Sequence, residues 1–141
     1  MYTRAVDRQV RLRAGITEQM LAHARGAGEI ECCGLLAGSC GVITNIFPAR
    51  NTLDSPAAYQ IAPQDLFALF RTMREQGLEH LGIYHSHPSG ENAPSPRDIE
   101  EAYYPRAVYF ILDPRAEALR PTRAFSIRDG SVTELEIVTM L

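Results

Sequence analysis

The chain is predicted to be an α/β protein, a mixed β-sheet sandwiched by helices. Three observations predict it. Short apolar runs bounded by glycine, proline and turn residues recur along the 141 residues, as strands do. Helical segments are interspersed among these runs rather than gathered at one end, which favours helices packed on a sheet. A composition of 45% hydrophobic and 22% charged residues is ordinary for a globular chain of this length, so one domain over residues 1–141 with a single core is expected.

The elements follow in order. Residues 6–13, VDRQVRLR, read as a first strand with weak alternation. Ile16 to Arg25 reads as a helix, with Thr17 as N-cap, Met20, Leu21 and Ala24 on one side, and Gly26 and Gly28 beyond its end. Glu31 opens the run Cys-Cys-Gly-Leu-Leu-Ala-Gly, a buried central strand. Gly38 to Gly41 is a turn, and Val42 to Phe47 is the next strand, ending at Pro48. Residues 49–58 are a loop by composition, and Tyr59 to Ile61 a brief strand. Ala62 to Gln76 carries the clearest helical pattern. Pro63 and Asp65 lie in its first turn, Leu66, Leu69, Phe70 and Met73 share one face, and Gly77 stops it. That face reads as core.

A central strand is expected over Glu79 to His85, then a loop, then a short helix from Pro96 to about Tyr103 ended by Pro105. Ala107 to Leu112 is another buried strand, and 113–115 a turn. The last pair, Ala124 to Arg128 and Ser131 to Ile137, is a hairpin joined by Asp129-Gly130, the chemistry of a type I′ turn.

The stretch from His85 to Asp98, HSHPSGENAPSPRD, carries the chemistry. His85, His87 and Asp98 are ordinary zinc ligands, and a zinc site with three protein ligands keeps a position open for catalysis. Residues two apart on a strand share a face, so His85 and His87 point the same way, roughly 6–7 Å apart at Cβ. Two imidazoles at that distance can converge on one ion. Pro88 ends the ladder because it has no N–H to donate. Ser95-Pro96-Arg97-Asp98 is also a helix start, with Ser at N-cap, Pro at N1 and an acid at N3. The two readings are compatible, since a first-turn Asp can face a metal. A His-x-His pair alone is often only two strand histidines; the combination is more specific.

His85-x-His87-Pro88, six residues, then Ser95-x-x-Asp98 resembles the signature of the JAMM/MPN (JAB) metallopeptidases. Upstream, Glu31-Cys32-Cys33-Gly34-Leu35-Leu36-Ala37-Gly38 is similar to that family's Glu-x-Cys-Gly-Leu-Leu-x-Gly segment. Two matching segments in the right order make the resemblance specific. It implies the JAB/MPN architecture, related to the cytidine-deaminase-like fold. It also implies Zn2+ held by His85, His87 and Asp98, Glu31 as general acid/base, and Ser95 as oxyanion stabiliser. Glu29 competes with Glu31 for the first role, and the residues alone do not choose; the position three before Gly34 selects Glu31. The implied reaction is hydrolysis of an amide at the flexible Gly-Gly tail of a ubiquitin-like or sulfur-carrier protein, for example release of cysteine from a carrier adduct. The tail would lie in a groove shaped by residues 49–58 and 89–94.

A net charge of −3 and the lack of a basic patch argue against a nucleic-acid partner. This also weighs against the DNA-repair-associated branch of the same fold, which shares His-x-His-Pro-Ser-Gly. No apolar run approaches the roughly 20 residues of a membrane span, and residues 1–15 lack the apolar core of a signal peptide. Three cysteines, Cys32, Cys33 and Cys40, without Cys-x-x-Cys, fit a reducing compartment and a cytoplasmic protein. A zinc deaminase is disfavoured, since His-Ser-His lacks His-x-Glu and no Pro-Cys-x-x-Cys follows. A cysteine protease using Cys32 or Cys33 rests on composition alone. A non-catalytic MPN scaffold would usually have lost metal ligands that this chain keeps.

Overall fold

The computed structural model describes residues 8–141. The elements run β1 (Gln9–Arg13), α1 (Ile16–Ala27), β2 (Cys33–Ser39), β3 (Val42–Ala49), α2 (Pro63–Glu75), β4 (Glu79–Ser86), α3 (Pro96–Glu100), β5 (Val108–Leu112), β6 (Thr122–Arg128) and β7 (Ser131–Met140). The sheet is mixed. β4 is parallel to β5, and β1 is parallel to both β3 and β7, while the remaining pairs are antiparallel. Because β1 pairs on both sides, the sheet closes in the order β1-β3-β2-β4-β5-β6-β7. Residues 6 and 7 of the expected first strand lie outside the described residues.

Side-chain alternation sorts the core onto two faces. Leu36, Tyr84, Phe110 and Leu112 pack with Ile16, Met20 and Ala24 of α1. Their neighbours Leu35, Ile83, Tyr109 and Ile111 pack on the opposite face with Met73, Leu66 and Phe70 of α2 and with Ile99 of α3. The central strands are buried on both faces, so they are nearly continuous apolar runs. His85 pairs with Cys33 on one side and Ile111 on the other. Its side chain therefore falls on the α2/α3 face, where α3 can supply a partner.

One close approach fixes a residue type in β2. A Cβ on Gly34 would lie 2.4–2.5 Å from the ring atoms of Tyr84 across the strand pair. Tyr84 is fully buried, and its hydroxyl hydrogen-bonds His23 Nδ1 at 2.6 Å, so the ring cannot yield easily.

Several boundaries differ from expectation. α1 starts at Ile16 on Gly15, whose φ of 96° glycine adopts freely; Thr17 sits inside the first turn and caps nothing. The helix runs on to Ala27 before Gly28, at φ 66°, stops it. β3 continues through Pro48 to Ala49 because, among the described residues, β1 pairs only with Val42 and Ile43, so Pro48 lies where no ladder hydrogen bond is needed on that side. α3 ends at Glu100 rather than Tyr103. Tyr59 to Ile61 is not a strand. The segment is held instead by buried Asn51, whose Oδ1 accepts from the Leu53 and Gln60 amides and whose Nδ2 donates to the Ala58 carbonyl. The hairpin turn has φ of 50° at Asp129 and 79° at Gly130, as a type I′ turn requires.

Candidate metal centre

The site gathers at the C-terminal end of β4. His85 is the penultimate residue of that strand, and His87 follows it, tied to the parallel neighbour by its amide donating to the Leu112 carbonyl at 2.8 Å. Pro88 then turns the chain into the loop leading to α3. Ser95 is the N-cap of α3, its Oγ accepting from the Asp98 amide at 3.0 Å. The Asp98 carboxylate returns the bond, Oδ2 accepting from the Ser95 amide at 2.9 Å. This reciprocal capping box fixes the carboxylate on the first turn, aimed back at β4.

Three donor groups converge there. His85 Nε2 and His87 Nε2 are 3.1 Å apart. His85 Nε2 lies 3.2 Å from Asp98 Oδ1, and His87 Nε2 3.1 Å from Asp98 Oδ2. Tetrahedral ligands bonded at about 2.0–2.1 Å are about 3.3 Å from one another, so this spacing fits a shared cation. The His87 ring is oriented for it, with Nδ1 donating to the Glu91 carbonyl at 2.7 Å and the Nε2 lone pair left to face the cluster. Tyr59 stacks on His85 with ring centroids 4.6 Å apart. Among the described residues, His85, His87 and Asp98 form the one cluster of three such side chains close enough to hold a metal ion.

The electrostatics agree with the geometry. Burial pushes the Asp98 carboxyl up, but the hydrogen bonds from His85 and His87 outweigh it and hold the group well below the usual carboxylate range. Burial likewise works to lower the His87 pKa, while its bonds to Asp98 and the Glu91 carbonyl raise it to a net increase. Two imidazoles and a carboxylate pressed together attract a positive charge, a proton when no metal is bound.

Glu31 lies beside the cluster, just before β2. It is only 4% exposed, and its Oε1 has no hydrogen-bond partner. Burial raises its pKa to about 7, with smaller opposing effects from His87 and Asp98. The backbone is pinned on both sides, the Glu31 amide donating to the Ser55 carbonyl at 3.0 Å and the Glu31 carbonyl accepting from Asn51 Nδ2 at 3.0 Å. Glu31, Ser95 and His87 line one groove of about 200 Å³, walled by Pro56 and Ala57 on one side and by residues 88–90 on the other. Glu29, the rival carboxylate, is exposed outside it.

Three contributors escaped sequence reasoning. Asn51 is 6% exposed and joins the 50–60 loop to Glu31. Tyr59 covers one face of His85. Asn92, also 6% exposed, anchors the loop after His87 by donating to the Ile111 and Arg120 carbonyls. Asn51 and Asn92 sit in loops whose composition suits any polar residue, so the sequence carries no signal for them.

Comparison with known proteins finds relatives over most of the chain. A family model described as prokaryotic homologs of the JAB domain matches residues 13–127. A CysO-cysteine peptidase from Mycobacterium tuberculosis is 34% identical over 125 residues, covering 87% of this chain and 86% of that protein. A probable TtuB-protein conjugate cleaving protease from Thermus thermophilus is 35% identical over 125 residues, with 88% and 80% covered. A desampylase from Haloferax volcanii is 34% identical over 110 residues, with 73% and 79% covered. The solution structure of a Desulfitobacterium hafniense protein superposes with a TM-score of 0.81 at 33% identity, over 93% of this chain and 92% of that one. A JAB1/MPN domain protein from Archaeoglobus fulgidus shares the fold, with a TM-score of 0.62 at 21% identity over 92% and 98% of the chains. By the extent of these matches, the chain belongs to the family of prokaryotic homologues of the JAB domain.

Proposed function

We propose that this chain is a cytoplasmic zinc metallopeptidase that hydrolyses an amide at the Gly-Gly tail of a ubiquitin-like or sulfur-carrier protein. One observation carries the reading. Three side chains able to ligate a metal meet through contacts of 3.1–3.2 Å, beside a buried carboxylate whose Oε1 has no partner and which shares a groove with Ser95. The relatives whose names specify cleavage of CysO-cysteine and of TtuB-protein conjugates support the substrate class. Cys32, Cys33 and Cys40 are all unbridged, which suits a reducing compartment.

His85, His87 and Asp98 would hold the zinc. When bound, zinc lowers the pKa of a water from 15.7 to about 7 and so supplies a nucleophile at neutral pH. Glu31, buried beside the cluster and lining the same groove as His87, would take up a proton and return it to the departing nitrogen. Ser95 Oγ already accepts from the Asp98 amide, so its hydroxyl hydrogen is free to donate to the developing oxyanion. The groove between residues 56–57 and 88–90 takes the extended tail, where glycines leave room for the backbone to approach.

The test is zinc content per chain for wild type and His87→Ala, with hydrolysis of a carrier adduct measured on the same samples. One zinc per wild-type chain, lost with activity in the variant, is the expected result. Failure to bind zinc after reconstitution would overturn the mechanism and leave a scaffold domain.

A further inference from the structure

Space opens on both sides of the metal cluster. On the His87 side lies the groove of Glu31 and Ser95. On the His85 side lies a second cavity of about 340 Å³, between α2, the segment after α3 and the sheet. Its walls are largely apolar, with Leu35, Ile61, Leu66 and Ile83 and the aromatic Tyr59 and Tyr109, and Gln60, Arg97 and Glu101 add polar groups. That volume lies within the range of small-molecule sites, which pair apolar walls with a few polar groups. A smaller pocket that shares Tyr59, Tyr109, Arg97 and Glu101 with the cavity is lined on its other part by His85 and Asp98.

Among the described residues, Arg97 is the one arginine or lysine lining either groove or the smaller pocket. It precedes Asp98 directly, so the capping box that fixes Asp98 also fixes where Arg97 leaves the helix. Among the described residues, its guanidinium makes one side-chain contact, Nε to Glu101 Oε1 at 3.3 Å, with side chains 52% and 42% exposed. Exposed pairs of this spacing are weak. The terminal nitrogens are therefore uncommitted, and a guanidinium fork matches a carboxylate in two-point geometry.

We propose that Arg97 and the tyrosine-lined cavity form the subsite for the leaving side of the scissile amide. They select an amino acid with a free α-carboxylate, the carboxylate on Arg97 and an apolar side chain toward the cavity. The inference rests on the peptidase reading above and adds which amide is cut: one whose nitrogen belongs to a terminal amino acid, rather than to a lysine side chain within a protein. Water adds to the tail carbonyl, the C–N bond breaks, and the nitrogen takes a proton. The products are a carrier with a free Gly-Gly carboxylate and a free amino acid.

The test uses two acyl peptides ending in Gly-Gly-Phe, one with a free C-terminal carboxylate and one with a carboxamide. Both are hydrolysed by the zinc-loaded wild type and by Arg97→Gln, with thermal midpoint and zinc content recorded for each protein. The wild type is expected to favour the carboxylate by about 10–100-fold in kcat/KM, the range for loss of a charged hydrogen-bonded pair. In Arg97→Gln that ratio falls to about 1, chiefly through KM. Equal rates on both peptides in the wild type, or an equal loss on both in the variant, would overturn the subsite and leave the peptidase standing. Hydrolysis of neither peptide by the wild type would sink the peptidase reading and the subsite with it.

Discussion

Glu31→Gln separates the two burdens this residue carries. In the metal-free chain its carboxyl is buried, without a partner on Oε1, and its pKa stands at about 7 against an ordinary 4.5. The folded chain thus holds the proton more tightly than the unfolded chain. The stabilisation is fully present below about pH 4.5, is lost as pH rises toward 7, and stays lost above it. At 1.36 kcal/mol per pKa unit, the ionised group costs the fold about 3 kcal/mol at pH 8.5 and about 1 kcal/mol at pH 5. Glutamine has the same shape and no charge. The variant should therefore be more stable than wild type by about 3 kcal/mol at pH 8.5, a Tm difference on the order of 10 °C. The gap should shrink to about 1 kcal/mol at pH 5. Asp98 and His87 titrate in both proteins; the Glu31 charge helps raise the His87 pKa only as the smallest of its causes, so a small coupling to His87 remains in the difference. The assay is urea or thermal unfolding of both proteins with chelator at the two pH values. Loading with zinc should narrow the gap, because a nearby dication favours the ionised carboxylate. Catalysis should fall by about 10²–10⁴ in the same variant. A Gln variant less stable than wild type at pH 8.5, or a gap that does not change with pH, would refute the burial argument.

Two further outcomes follow from the geometry. Ser95→Ala removes both the N-cap and the proposed oxyanion donor. Unfolding should show about 0.5–2 kcal/mol of lost stability, while kcat falls by about 10²–10³ with zinc content unchanged; a loss of activity no larger than the loss of folded protein would confine Ser95 to capping. Gly34→Ala places a methyl 2.4–2.5 Å from the Tyr84 ring. Denaturant unfolding should register about 1–3 kcal/mol of overpacking, and a neutral result would mean that the β2–β4 pair can separate.

Much of the site was legible because its spacing is local. His85 and His87 share a strand face, and the first-turn chemistry of Ser95 and Asp98 is written in four consecutive residues. The capping reading and the ligand reading of Asp98 coexist because its two oxygens divide the contacts: Oδ1 meets His85, and Oδ2 meets His87 and the Ser95 amide. Boundaries were less legible where tertiary pairing decided them. Pro48 reads as a strand end, yet it pairs with Gly34 because, among the described residues, the other side of β3 has no neighbour there. Tyr59 to Ile61 has the residues of a strand, but Asn51 captures the backbone groups a ladder would use.

The sequence by itself determined the three helices, all the strands but for one extra at Tyr59 to Ile61, the mixed sheet and the three candidate ligands, because periodicity, capping and turn chemistry act over a few residues. The resemblance singles out Glu31 over Glu29 for the proposed acid/base, and the tertiary structure adds that Glu31 is the buried one of the two. Both are carboxylates in one short connection, and the difference is that Asn51 and Ser55 hold the Glu31 backbone so that its side chain is buried beside His87. Tertiary structure also set the closure of the sheet, since β1 finds β3 and β7 through contacts far apart along the chain. The cavity behind Tyr59 arises likewise, from how α2 and the segment after α3 meet the sheet. No local pattern encodes which distant surfaces will face each other.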